Sequence, residues 1–220
     1  MGRDPLIRLR GIEFSYPGRE VLKGLDFALW RGDRVGITGP NGSGKTTLLH
    51  IMMGLLKPQA GEVEVFGQQR RQESDFKEVR RKVGLLFQDP DDQLFCPTVA
   101  EDVAFGPLNL GKKHPEAWKI VRETLRAVGL EGFEGRLTHT LSGGEKRLAS
   151  LASVLAMGPE VLLLDEPTAG LDEETTERVL RVLAESDLTY LIVTHDKEVL
   201  SRATDVVYRL NAGRLHRLNP

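Results

Sequence analysis

The chain has one cysteine, Cys96, in 220 residues, so no internal disulfide can form and a reducing compartment is expected. It has almost no net charge: a formal −2 gives no global reason to expect nucleic acid as a partner. It also lacks long apolar runs. Val161–Leu164 and Tyr190–Val193 are buried-strand length, far short of the roughly 18 residues that span a bilayer. Met1–Arg10 has no apolar centre of the signal-peptide kind, so if the protein serves a membrane, another subunit is expected to do the spanning. Repeats and low-complexity segments are missing. His114, His139 and His216 lack metal-ligand spacing, and Cys96 has no ligand companions. The basic clusters Arg70-Arg71 and Arg80-Arg81-Lys82 carry no interleaved aromatics for base stacking and read as a solvated face.

What remains is enough for a globular core. Apolar residues make up 40% of the chain, and its length suits one domain, with or without a sub-lobe. Leu6–Phe14 and, roughly, Leu25–Leu29 alternate apolar and polar residues around a Tyr16-Pro17-Gly18 turn, as half-exposed antiparallel strands do. Arg34–Thr38, Val63–Phe66 and Val83–Phe87 read as further strands. Helical spacing follows in Ala117–Val128, stopped by Gly129, and in Gly143–Met157, stopped by Gly158-Pro159. Val161–Leu164 and Tyr190–Thr194 are continuously apolar, as parallel strands covered on both faces are, and Glu173–Ala184 reads as the helix between them. Val206–Leu210 and Arg214–Leu218 suggest a closing hairpin. The expectation is an α/β fold: a parallel-sheet core, an antiparallel β subdomain and a helical lobe at about 97–157.

Gly39-Pro40-Asn41-Gly42-Ser43-Gly44-Lys45-Thr46 matches G-x-x-x-x-G-K-[ST] between a strand and a helix. Glycines let backbone N–H groups converge on phosphates, and the following helix points its positive end at them. Lys45 is expected to hold the β- and γ-phosphates and Thr46 to ligate Mg²⁺ through its hydroxyl. The nucleotide-binding candidates are therefore Gly39, Asn41, Gly42, Ser43, Gly44, Lys45, Thr46 and Thr47. Val161–Leu164 runs into Asp165-Glu166, which places two acids at the open end of a buried strand. Asp165 is a Mg²⁺ ligand candidate and Glu166 the candidate base that polarises water.

Together these segments resemble the nucleotide-binding subunit of ATP-binding cassette (ABC) transporters, over nearly the whole chain and in the family's order. The resemblance implies a single P-loop cassette over residues 1–220, binding ATP and Mg²⁺. It assigns Tyr16 to stacking on adenine and Gln88 to Mg²⁺, to water and to sensing the transmembrane partner. It assigns His195 to the γ-phosphate, and Ala169-Gly170-Leu171-Asp172 to a loop crossing the dimer interface. Leu141-Ser142-Gly143-Gly144-Glu145 resembles the family signature, with Glu145 where Gln is usual. By resemblance two cassettes pack head to tail, and Ser142, Gly143 and Gly144 close over the ATP of the other chain.

Three stretches, Phe87–Phe95, Pro97–Pro107 and Asp165–Asp172, look like the ATPases of energy-coupling factor (ECF) importers, including the cobalt- and nickel-uptake systems. That likeness implies a peripheral position on the cytoplasmic face of the cell membrane. An integral membrane partner would contact Asp89–Phe95, where Asp89, Asp91 and Asp92 are candidates to meet basic groups and Leu94 and Phe95 are apolar contacts. The cargo, a metal ion or a vitamin-like micronutrient, leaves no imprint here. Many such ATPases carry an additional C-terminal segment that helps dimerisation, so weak dimerisation without ATP is expected of this chain. Other readings are a different class of ABC transporter, or a soluble ABC-type ATPase of DNA repair. The latter usually inserts a long coiled coil, for which Gln88 and Leu141 leave no space. Two-cassette translation factors and non-hydrolysing regulators fit less well, the latter because Glu166 and His195 are both present.

Overall fold

A computed structural model describes residues 4–218. The chain opens with β1 (Ile7–Tyr16), β2 (Arg19–Leu29) and β3 (Arg34–Thr38), followed by α1 (Lys45–Met52). β4 (Ala60–Val65), β5 (Gln68–Gln69), α2 (Glu73–Lys82) and β6 (Val83–Leu86) come next. The helical lobe holds α3 (Val99–Asn109), α4 (His114–Ala127) and α5 (Gly143–Leu155). The chain returns through β7 (Val161–Asp165), α6 (Glu173–Glu185), β8 (Thr189–Val193) and α7 (Lys197–Ala203) to the hairpin β9 (Val206–Asn211) and β10 (Arg214–Leu218).

Two sheets form. The antiparallel one has the order β2-β1-β4-β5; the larger runs β10-β9-β3-β8-β7-β6 and is parallel from β9 to β6. The continuous apolar strands bury both faces, as a parallel sheet requires. Val161 and Leu163 of β7, with Leu191 and Val193 of β8, face a core shared with α1 and the antiparallel sheet. Leu162, Leu164, Tyr190 and Ile192 face the opposite core, against α5, α6, α7 and the helical lobe. Burial of this kind contributes roughly 1.5–3 kcal/mol per large side chain. With the parallel strands aligned, the ends of β3, β6, β7 and β8 meet at one edge, where ligands of open α/β sheets bind.

Several sequence expectations shift. β2 begins at Arg19, well before Leu25, because its first half pairs with β1 at Leu22, Glu20 and Arg19 and buries Val21 and Leu22. The strand expected at Val63–Phe66 runs from Ala60 to Val65, and Phe66 sits at φ 53° in the turn that follows. α2 was not foreseen, since only Phe76 and Val79 of its ten residues are buried; a capping box between Gln72 and Asp75 starts it. The basic clusters beside α2 are only partly a solvated face. Arg70 is buried and donates to the carbonyls of Val65 (3.1 Å) and Asp75 (3.1 Å), and Arg80 donates to that of Met53 (3.1 Å).

Candidate functional site

The loop between β3 and α1 is drawn tightly against the chain. Gly39 holds φ 154°, and a Cβ there would stand 2.3 Å from the carbonyl oxygen of Leu210, so no other residue fits. Lys45 is buried and folds back over the loop, its Nζ donating to the carbonyls of Gly39 (3.0 Å) and Pro40 (3.2 Å). Gly44 caps α1, which places the helix's unpaired N–H groups at the loop. A cleft of about 300 Å³ opens there, lined by Tyr16, Asn41, Gly42, Gly44, Lys45, Thr46, Thr47, Gln88, Asp165 and Glu166. Tyr16, 44% exposed, ends β1 beside the loop; its hydroxyl lies 3.3 Å from Thr47 Oγ1 and its ring packs edge-on against Phe14.

The acid pair stands opposite. Asp165 is 3% exposed and accepts a hydrogen bond from Thr46 Oγ1 at 2.6 Å. Burial, chiefly, pushes its carboxyl above the ordinary range. Glu166 has φ 46°, a left-handed backbone that costs a non-glycine residue roughly 1–2 kcal/mol. Its Oε1 meets His195 Nδ1 at 3.0 Å, and this contact raises the imidazole pKa. Glu166, which lines the cleft, has its Oε2 buried with no hydrogen-bond partner, and Ser43 Oγ within the phosphate loop is likewise unpaired. Among the described residues no three His, Cys, Asp or Glu cluster as a metal cage. Thr46 with Asp165 still suits Mg²⁺, which takes one or two protein oxygens and completes its shell with water and phosphate.

The signature residues are not brought to this cleft. Ser142, Gly143 and Gly144 head α5, and Gly143 lines an adjoining hollow of about 540 Å³ with His50, Arg147 and Gly170 that shares Thr46, Gln88 and Asp165 with the cleft. Glu145 closes a capping box: Ser142 N donates to Glu145 Oε2 (2.7 Å), and Glu145 N to Ser142 Oγ (3.3 Å). Glu145 also pairs with Arg136 at 2.8 Å, and these donors, led by the Ser142 amide, hold its carboxyl below the ordinary range. The signature helix is tied to the Gln88 segment. Arg147 donates to the carbonyls of Phe87 (2.6 Å) and Gln88, and Gln93 Nε2 donates to the carbonyl of Ser150 (2.9 Å). Two of the three acids proposed to meet a partner are engaged within the chain: Asp91 is ion-paired with Lys146 at 2.6 Å, and Asp89 Oδ1 accepts from the Asp91 amide at 2.9 Å.

Arg19 and Arg147 are among the site-lining residues that escaped sequence reasoning. Arg19 lines the cleft and donates to the Gly42 carbonyl; a Cβ on Gly42 would stand 2.6 Å from the Arg19 guanidinium. Arg147 looks like any helix-surface cation until its burial is known. Burial, then the neighbouring Asp102, pushes the Cys96 thiol pKa up to about 11, which disfavours the thiolate.

A strand-loop-helix phosphate cradle facing two strand-end acids defines a P-loop nucleotide hydrolase. Residues 22–169 match the ABC transporter family, and the chain belongs to that family as one of its ATPases. A putative ABC transporter ATP-binding protein of Brucella suis biovar 1 is 52% identical over 211 residues, covering 96% of this chain and 88% of the relative. The energy-coupling factor transporter ATP-binding protein EcfA of Methanothermobacter thermautotrophicus is 47% identical over 215 residues, covering 96% of this chain and 69% of the relative. The structure of cbiO1 from Clostridium perfringens, part of the ABC transporter complex cbiONQ, superposes with TM-score 0.86 at 34% identity, covering 97% and 88% of the two chains. A dimeric ATP-binding cassette in a post-hydrolysis state, bound to ADP and Pi, superposes with TM-score 0.88 at 28% identity, covering 97% and 99%.

Proposed function

We propose that this chain is the ATP-hydrolysing subunit of an ECF-type importer, powering uptake of a cobalt or nickel ion or a vitamin-like micronutrient through an integral membrane partner. The observation that carries this reading is the likeness to EcfA and cbiO1 along almost the whole chain. A groove beside the Gln88 segment supports it. This groove of about 450 Å³ is walled by Leu85, Phe87, Phe105, Val154 and Met157, and Phe95, 67% exposed, stands at it with its ring against Phe105. An apolar surface beside the nucleotide site suits a helix of the membrane partner at Asp89–Phe95. Among the described residues no helix is long and apolar enough to cross a membrane, which fits a peripheral subunit at the cytoplasmic face. The segment between Gln88 and Leu141 holds α3 and α4 packed on α5, and no coiled coil of the DNA-repair kind.

In this reading ATP lies in the cleft with adenine against Tyr16. Lys45 exchanges its carbonyl contacts for β- and γ-phosphate oxygens. Thr46, Asp165 and Gln88 would hold Mg²⁺, which would supply charge neutralisation at the phosphates. Glu166 takes its water through Oε2, while Oε1 stays on His195, which orients the carboxylate and approaches the γ-phosphate. Ser142, Gly143 and Gly144 complete the site of a second cassette, whether an identical or a related chain, so that ATP bridges two chains and hydrolysis removes the bridge. Glu166→Gln is expected to bind MgATP, lose turnover and accumulate a nucleotide-locked dimer in sedimentation. Unchanged turnover would refute the base assignment. Failure of the chain to co-purify with a membrane protein would count against the importer reading.

A further inference from the structure

The signature helix carries an acid where its neighbours' function calls for attraction to an anion. Glu145 stands in the first turn of α5 beside Ser142, Gly143 and Gly144. A glutamine at this third helical position would close the same capping box without charge. A glutamate closes it at the cost of placing a negative group on the turn whose N–H groups would meet a phosphate.

The structure contains the counterweight. Glu145 uses Oε2 on the Ser142 amide, and its other oxygen, Oε1, receives Arg136 Nη1 at 2.8 Å. Arg136 is held from two sides. Its guanidinium lies 4.5 Å from the Phe133 ring centroid; its backbone amide donates to the Phe133 carbonyl (2.9 Å), and its carbonyl accepts from the Val99 amide (3.0 Å) at the start of α3. Both side chains are partly exposed, 41% for Arg136 and 27% for Glu145, so the pair lies near a surface that a second chain can reach. Within the box Ser142 Oγ accepts from Glu145 N, which leaves the hydroxyl proton free to donate outward.

We propose that Arg136 is a positioning residue of the composite ATP site: it fixes Glu145 in the capping box and cancels its charge, so that the head of α5 presents only donors to the other chain's γ-phosphate. The proposal rests on the reading that the signature acts across a dimer interface. It makes Glu145 and Arg136 one charge-balanced replacement for a neutral glutamine.

The test is a double-mutant cycle in the full chain carrying Glu166→Gln, read as MgATP-dependent dimer affinity by sedimentation. Arg136→Met keeps an apolar stem on Phe133 and leaves Glu145 uncompensated. It is expected to weaken the dimer roughly tenfold at low salt, with the loss shrinking as added salt screens the exposed carboxylate. Glu145→Gln alone is expected to stay within about twofold of the parent, since the box survives. The Arg136→Met/Glu145→Gln double variant is expected to recover the affinity that Arg136→Met loses. A double variant as weak as Arg136→Met, or a loss insensitive to salt, would show that Arg136 acts through the fold alone and would overturn the proposal. Ser142→Arg runs beside these variants. If it fails to block dimerisation, the reading beneath the proposal falls; if it blocks while Arg136→Met does nothing, only the proposal falls.

Discussion

Arg147 offers a test of how the signature helix and the Gln88 segment are joined. The residue is 3% exposed, and its guanidinium holds two successive carbonyls, those of Phe87 and Gln88, at the end of β6. Arg147→Met strips both acceptors of a charged donor. Each such bond contributes roughly 1.5–3 kcal/mol. Part of this is offset, because burial also pulls the guanidinium pKa down and the charge is carried at a cost. A net loss of about 2–4 kcal/mol is expected, which for a chain of this size lowers the melting temperature by roughly 5–12 °C. Arg147→Lys keeps a charge but cannot bridge two carbonyls in a fixed fork, so it should fall between the two. The assay is thermal unfolding by circular dichroism, with and without MgATP. The variants should also gain less stabilisation from MgATP than the parent, since Gln88, which lines the cleft, is no longer tied to α5 through Arg147. A melting temperature unchanged in Arg147→Met, or Arg147→Lys equal to the parent, would refute the argument.

Two further outcomes follow from the cleft. Tyr16→Phe removes only a 3.3 Å contact with Thr47 and should keep nucleotide affinity within about threefold, whereas Tyr16→Ala removes the ring and should cost roughly tenfold or more in a fluorescent-ATP titration. Asp165→Asn should separate stability from function. The folded state holds the Asp165 proton more tightly than the unfolded chain does. The nucleotide-free protein therefore loses stability from this group as pH rises from the ordinary carboxylate pKa through the raised one. The melting-temperature gap between Asp165→Asn and parent should widen in the variant's favour over that window, while its extra stabilisation by MgATP disappears; a gap that narrows with pH would contradict this.

What could be read from sequence is what chemistry forces into local patterns. Gly39–Thr46 is legible because converging N–H groups demand glycine at fixed positions. β7 and β8 are legible because two-sided burial demands continuous apolar residues. What escaped reading depends on burial by distant elements. α2 offers only Phe76 and Val79 to the core, so its sequence resembles a solvated loop. Arg70, Arg80 and Arg147 serve as internal ties through backbone carbonyls, which no side-chain pattern announces. Glu145 was a visible departure from the signature, but its partner Arg136 lies nine residues away in an irregular segment, beyond helical spacing. The Asp91–Lys146 pair likewise needed the loop laid against α5.

In the proposed function this chain holds two halves of different sites: a phosphate cradle for its own ATP and a donor-headed helix for another chain's. Ser142→Arg tests it most directly, with ATP affinity of the monomer and turnover of the assembled protein measured on the same preparation. Unchanged monomer affinity with abolished turnover is expected. Lost monomer affinity, or preserved turnover, would contradict it.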